Sequence, residues 1–136
     1  MNNIKYSKGE MDVASFLIRN RVPHKSQYSV RINKRTHVFD FAIIVKGSVK
    51  CFIEYDGKQH FEPVSYFGGR TEFVKRQALD KEKDDHCKSK KIQLIRVPYW
   101  TEDIDKFLLP KVSKWKSLVP VKKSKKKKLP PTKGRR

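Results

Sequence analysis

Residues 52–61 read FIEYDGKQHF: an apolar run carries Glu54 and Asp56, then passes straight into Gly57, Lys58, Gln59 and His60. Side chains alternate faces along a strand, so Glu54 and Asp56 share one face. Such a pair fits either a polar hairpin tip or the floor of a metal site, and the flanking chain has to discriminate. Just upstream, residues 37–45 (HVFDFAIIV) form a second strand signal in which Asp40 interrupts an apolar run. A strand apolar on both faces is a buried one, and a buried carboxylate needs a partner. Alone, Asp40 would be satisfied by a neighbouring backbone amide or a Lys. Asp40 is not alone, because KGS at 46–48 has the length of a hairpin turn and can bring it beside Glu54 or Asp56. Carboxylates that converge without a matching cation repel, and a divalent metal resolves that repulsion. Mg²⁺ (or Mn²⁺) suits the pattern, since Mg²⁺ is held by one or two carboxylates together with waters and substrate phosphate.

Working outward, Ser7 to Val22 has helical spacing at Val13, Phe16 and Leu17. Ser7 and Glu10 stand at capping-box distance, and Pro23 ends the segment. Tyr28 to Ile32 is a short strand signal. After the acids, Pro63, Gly68 and Gly69 mark residues 57–69 as an irregular loop. Arg70 to Lys90 lacks Gly and Pro, and Phe73, Val74, Gln77, Leu79 and Cys87 give it a thin apolar stripe. The expectation is a long helix of low amphipathicity. Ile92 to Val97 is a strand limited by Pro98, and Thr101 caps a helix running to Leu109. The fold class is therefore α/β, with a small mixed sheet flanked by helices, in one domain over residues 1–118.

The chain of 136 residues carries a formal charge of +19 with 37% hydrophobic residues. Self-repulsion of that size calls for a polyanionic partner, nucleic acid or an anionic membrane surface. No window holds the roughly 18 apolar residues of a membrane span, and the N-terminus has no apolar leader segment, which favours an intracellular protein. Cys51 and Cys87 stand in no ligand-spaced pair, so they read as reduced thiols rather than zinc ligands. Residues 119–136 are expected to be a disordered tail. From residue 121 onward, VKKSKKKKLPPTKGRR holds nine basic and no acidic residues. It serves equally as a phosphate-binding arm, a solubilising arm or a nuclear import signal.

At this point the residues carry a resemblance. Glu10 on a first helix, FDF (39–41) on one strand and FIEYDG (52–57) on the next resemble the PD-(D/E)XK nuclease superfamily. Together with QALDKEK (77–83) and IQLIRVPY (92–99), the blocks are similar to its small branch related to very-short-patch-repair and EDxHD-type homing endonucleases. The similarity covers roughly residues 7–109 and leaves the basic tail outside. It implies a restriction-endonuclease-like fold and hydrolysis of DNA phosphodiester bonds, in repair, recombination, resolution or homing. It implies Asp40 and Glu54 as metal ligands, Glu10 as an auxiliary acid and His60 as a proton-transfer or phosphate-contact residue. Asp80 and Lys83, three apart on one helix face, would border the same site. Where the superfamily most often has Lys two residues after the acid, this chain has Asp56, so either Lys58, Gln59 or His60 takes over that role or the site is weakened.

Each residue also has a plainer reading. Glu10 completes a capping box, Asp56-Gly57 is a common turn pair, His60 alone is a surface imidazole and Lys83 is one of many solvated charges. Tyr66, Phe67, Tyr99 and Trp100 can stack on bases or simply cover a sheet edge. The expected partner is DNA, branched or nicked forms included, with a homodimer as a further option and no membrane. The rivals are a nucleic-acid-binding module that keeps a nuclease-like fold without the chemistry and a structural RNA-binding protein for which only the positive surface matters.

Overall fold

The computed structural model describes residues 6–117. The expectation of a disordered tail falls on residues 119–136, outside the described part.

Helix α1 (Lys8–Arg19) starts in a full capping box: the Glu10 amide donates to Ser7 Oγ at 3.1 Å and the Ser7 amide to Glu10 Oε1 at 2.9 Å. It ends at Arg19 with Asn20 as its C-cap, three residues before Val22, because Arg21 takes a left-handed conformation (φ 55°) that turns the chain into the sheet. Strands β1 (His24–Ile32), β2 (Arg35–Val45) and β3 (Ser48–Asp56) follow as two antiparallel hairpins. Both turns are two residues with positive φ, Asn33-Lys34 and Lys46-Gly47, the geometry that matches the right-handed twist of paired strands. Helix α2 (Gly69–Lys90) then crosses over to β4 (Gln93–Pro98), which lies parallel to β3. The result is a mixed four-stranded sheet in the order β1-β2-β3-β4, flanked by helices. Helix α3 (Ile104–Val112) is capped by Asp103, whose Oδ1 accepts from the Lys106 amide, rather than by Thr101.

Two apolar layers hold the sheet. On one face, Val13, Phe16 and Leu17 of α1 meet Phe41, Ile43, Ile53 and Val97 of the strands and Leu108 and Val112 of α3. Here α1 approaches β3 so closely that a Cβ on Gly9 would fall inside the Tyr55 ring. The other face is thinner: Ile32, Phe39, Ala42 and Phe52 pack with Cys87 of α2.

Helix α2 departs from the expected apolar stripe. Val74 and Leu79 are exposed, and Cys87 is its one buried residue. Glu82 lies 2.8 Å from His37 Nε2 on β2, and Asp80, Lys83, Asp84 and Cys87 also reach the sheet side, at the spacing i, i+3, i+4, i+7 of one helix face. Three of the four are charged, and their partners are charged groups on β3, β4 and the following turn. Polar bonds dock this helix more than apolar burial does. No helix of the described residues is long and apolar enough to cross a membrane.

Candidate active site

The β2–β3 ladder runs from Val45↔Ser48 to Phe41↔Ile53, with an irregularity between Ile43 and Ile44, and stops there. The next two residues would be Asp40 and Glu54. Instead of pairing through backbone, each strand is bonded by the other's carboxylate. The Asp40 amide donates to Glu54 Oε2 at 2.9 Å, and the Tyr55 amide donates to Asp40 Oδ2 at 2.7 Å. The splayed strands leave a cavity of about 340 Å³ whose walls include Glu10, Asp40, Glu54, Gln59, His60, Asp80 and Lys83. Those seven candidates are brought together. Lys58 is exposed and forms no part of that wall, and Asp56 sits behind it.

Lys83 is the cation of this cavity. Its Nζ donates to Glu54 Oε1 at 3.0 Å and to the Val38 carbonyl at 2.7 Å, over the Phe39 ring. An ammonium carried by α2 thus stands against the Glu54 carboxylate of β3. Burial, reinforced by the charges of Glu54 and Glu10, pushes the Asp40 carboxyl up to about 8; the Tyr55 amide and Lys83 oppose that shift without cancelling it. Asp40 Oδ1 accepts no hydrogen bond from the described residues.

Across the cavity, His60 Nδ1 lies 2.9 Å from Asp80 Oδ2 and 3.6 Å from Asp56 Oδ1. Burial would raise Asp80, but the hydrogen bond and charge of His60, with Arg96 and Lys83, hold it below the ordinary carboxylate value. An ionised Asp80 can only accept, so the Nδ1 of His60 carries the proton and Nε2 is left for the cavity.

Asp56 has a different partner. Arg96 Nη1 donates to both of its oxygens, at 3.1 and 3.2 Å, while Arg96 Nη2 reaches Asp84 at 2.9 Å. The two ends respond in opposite senses. The arginine is held more firmly charged by Asp56, Asp84 and Asp80 in spite of its burial. Burial raises Asp56 in spite of Arg96. The geometry, with both oxygens on one nitrogen, is that of an ion pair, and we read Asp56 as the clamp that joins β3, β4 and α2. Arg96 was not among the candidates. A lone cation inside the apolar run IQLIRV, opposite an acidic strand end, is the signal that would have found it. Arg76 was also missed; it lines the cavity one turn before Asp80 and carries no ion pair within the described residues.

The donor set decides which metal could fit. Among the described residues, no group of three or more His, Cys, Asp or Glu side chains converges to hold a metal ion. A structural zinc site needs four protein ligands and a catalytic one three, so zinc does not fit. Two cavity-lining carboxylates on a splayed strand pair, one with an oxygen that accepts no hydrogen bond among the described residues, fit Mg²⁺ or Mn²⁺, for which water and phosphate complete the shell.

Around the rim, Phe61 packs on Trp100 (centroids 4.8 Å apart) and Tyr99, while Tyr66 is mostly exposed. Tyr99 and Trp100, which directly follow edge strand β4, therefore pack on Phe61 beside the turn that carries His60.

No protein-family model and no solved structure matches the chain. Over 63 residues, 45% of its length, it is 44% identical to a Frog virus 3 (isolate Goorha) protein described as uncharacterized protein 094L. The chain spans only 41% of that relative's length.

Proposed function

We propose that the chain is a metal-dependent DNA endonuclease with a restriction-endonuclease-like core, hydrolysing phosphodiester bonds. One observation carries the reading: the β2–β3 ladder opens at Asp40 and Glu54, and an ammonium and a carboxylate-oriented imidazole converge on the gap. A protein that merely binds phosphate gains nothing from buried acids there, since they repel the ligand.

Asp40 and Glu54 would hold the metal, which when bound polarises the phosphodiester and makes its water a better nucleophile. Lys83, bonded to Glu54 Oε1, would place positive charge where the phosphate gains negative charge. His60, oriented by Asp80, presents Nε2 to take a proton from water or give one to the leaving oxygen. Arg76 and Gln59, which line the cavity, would contact the phosphate. Glu10, fixed in its capping box, adds negative charge beside Asp40 and steadies the α1 end of the cavity.

The test is cleavage of supercoiled, nicked and branched DNA with Mg²⁺ or Mn²⁺, using Asp40→Asn and Glu54→Gln as controls. Cleavage that needs the metal and is lost in both variants is the expected result. Variants that cut as well as the parent would overturn the assignment. DNA binding without any cleavage would leave the non-catalytic binding module.

A further inference from the structure

The β1–β2 hairpin does something the catalytic reading does not use. Phe41 and Ile43 of β2, with His24 of β1, face the α1 side, but Tyr28, Val30, Ile32 and Phe39 face α2. The switch occurs at Gln27, which has a φ of 52°, opposite Asp40. Non-glycine residues enter that region at a cost, so the break in alternation is a built feature. It coincides with the end of the β2–β3 ladder. Beyond it, residues 28–39 form a two-stranded ribbon lined by α2 on one face only.

The ribbon's other face consists of Ser29 and Arg31 on β1 against Val38 and Thr36 on β2, all exposed, with the Asn33-Lys34 turn at its tip. No acidic residue occurs from His24 to Phe39. Within the described residues Arg31 bonds only Thr36, and neither Arg31 nor Lys34 has a carboxylate partner. Cations without carboxylates, hydroxyls and one exposed Val form the side-chain set that reads base edges: Arg for guanine, Thr for either base type and apolar contact for the thymine methyl. Strands about 4.8 Å apart, with side chains, make a ribbon that enters a major groove about 12 Å wide but not a minor groove of about 6 Å. Thr36 and Val38 also line the catalytic cavity, so a duplex seated on this face runs past Asp40 and Glu54.

We infer that the outer face of the 28–39 ribbon docks in the major groove of double-stranded DNA, with Arg31 toward base edges and Lys34 on a phosphate. The inference rests on DNA being the substrate and adds the form and the groove. A metal-free binding titration of the full chain tests it apart from cleavage. The two probes are a plain 20-bp duplex and the same duplex carrying glucosylated hydroxymethylcytosine, whose sugars fill the major groove. The parent should bind the glucosylated duplex about ten-fold or more weakly. The Arg31→Ala/Lys34→Ala variant, changed only at exposed positions, should lose roughly ten-fold on the plain duplex and most of the discrimination. Equal binding of both duplexes by the parent, or unchanged affinity in the variant, would overturn the ribbon's role and leave its cations as protection of an exposed strand edge. Groove-dependent binding without cleavage would keep the ribbon and sink the endonuclease.

Discussion

Lys83 Nζ lies 3.0 Å from Glu54 Oε1, joining α2 to β3 across the opening in the sheet. Both side chains are nearly buried, so the pair is shielded from water and salt. Lys83→Met should strand the Glu54 carboxylate, which costs about 3 kcal/mol of stability when a buried pair loses one partner. It should also slow cleavage by about 10²-fold or more, as loss of a positioned donor does. Urea unfolding and single-turnover kinetics measure the two effects. A variant that is destabilised yet cuts at the parental rate would make Lys83 a structural tie alone.

Asp40 gives the metal-free protein a pH signature. Its carboxyl is raised from 3.8 to about 8 by burial and the charge of Glu54. The folded state therefore holds that proton more tightly than the unfolded state, and its contribution to stability is complete below 3.8. That contribution is lost as pH rises through about 8. Asp40→Asn should flatten the difference, making the variant more stable than the parent at pH 8 and nearly equal to it at pH 4. Mg²⁺ should stabilise the parent at pH 8 and leave Asp40→Asn nearly unmoved. Thermal melts across that range, with and without the metal, decide it; parallel profiles for the two proteins would remove Asp40 from the titration.

The His60–Asp80 bond separates orientation from chemistry. His60→Ala should slow cleavage by about 10²–10⁴-fold if the imidazole moves a proton. Asp80→Asn keeps the imidazole but offers an amide that can accept or donate, so the tautomer is no longer enforced. Its expected signature is a smaller rate loss with a shifted pH–rate profile. If the rate falls and the profile keeps its shape, Asp80 serves the fold of α2 rather than His60.

How much of this was legible follows from the type of bond that holds each part. Asp40 and Glu54 could be placed side by side because a two-residue turn and a period of two leave little freedom of register. The mixed sheet was legible because a long helical segment between two strand signals allows a parallel crossover. The start of β1 was not, because Gln27 reverses the faces and breaks the alternation of residues 24–32. The inner face of α2 was invisible to any hydrophobic pattern, since Asp80, Lys83 and Asp84 dock it through charge. The replacement for the strand lysine was sought at residues 58–60, where chain order suggests it, and Lys83 was expected only to border the site; the packing of α2 on the sheet brings Lys83 against Glu54 itself.

Residues 121–136 lie beyond the described part. The nine cations of residues 121–136 include no group that could bind a catalytic metal, and every candidate of the cavity lies between Glu10 and Lys83. Each phosphate neutralised on duplex DNA contributes about 0.9 to the slope of log affinity against log salt. A chain ending at Ser117 should therefore bind duplex more weakly and with a shallower slope, the difference divided by 0.9 giving the number of phosphates the tail engages. At saturating protein its single-turnover cleavage rate should match the parent's, because the cavity and the ribbon are intact. An unchanged slope would show that the tail does not touch DNA, leaving import or solubility as its role. Full binding with no cleavage would mean that the catalytic unit extends past Ser117, and the boundary at residue 118 would have to move.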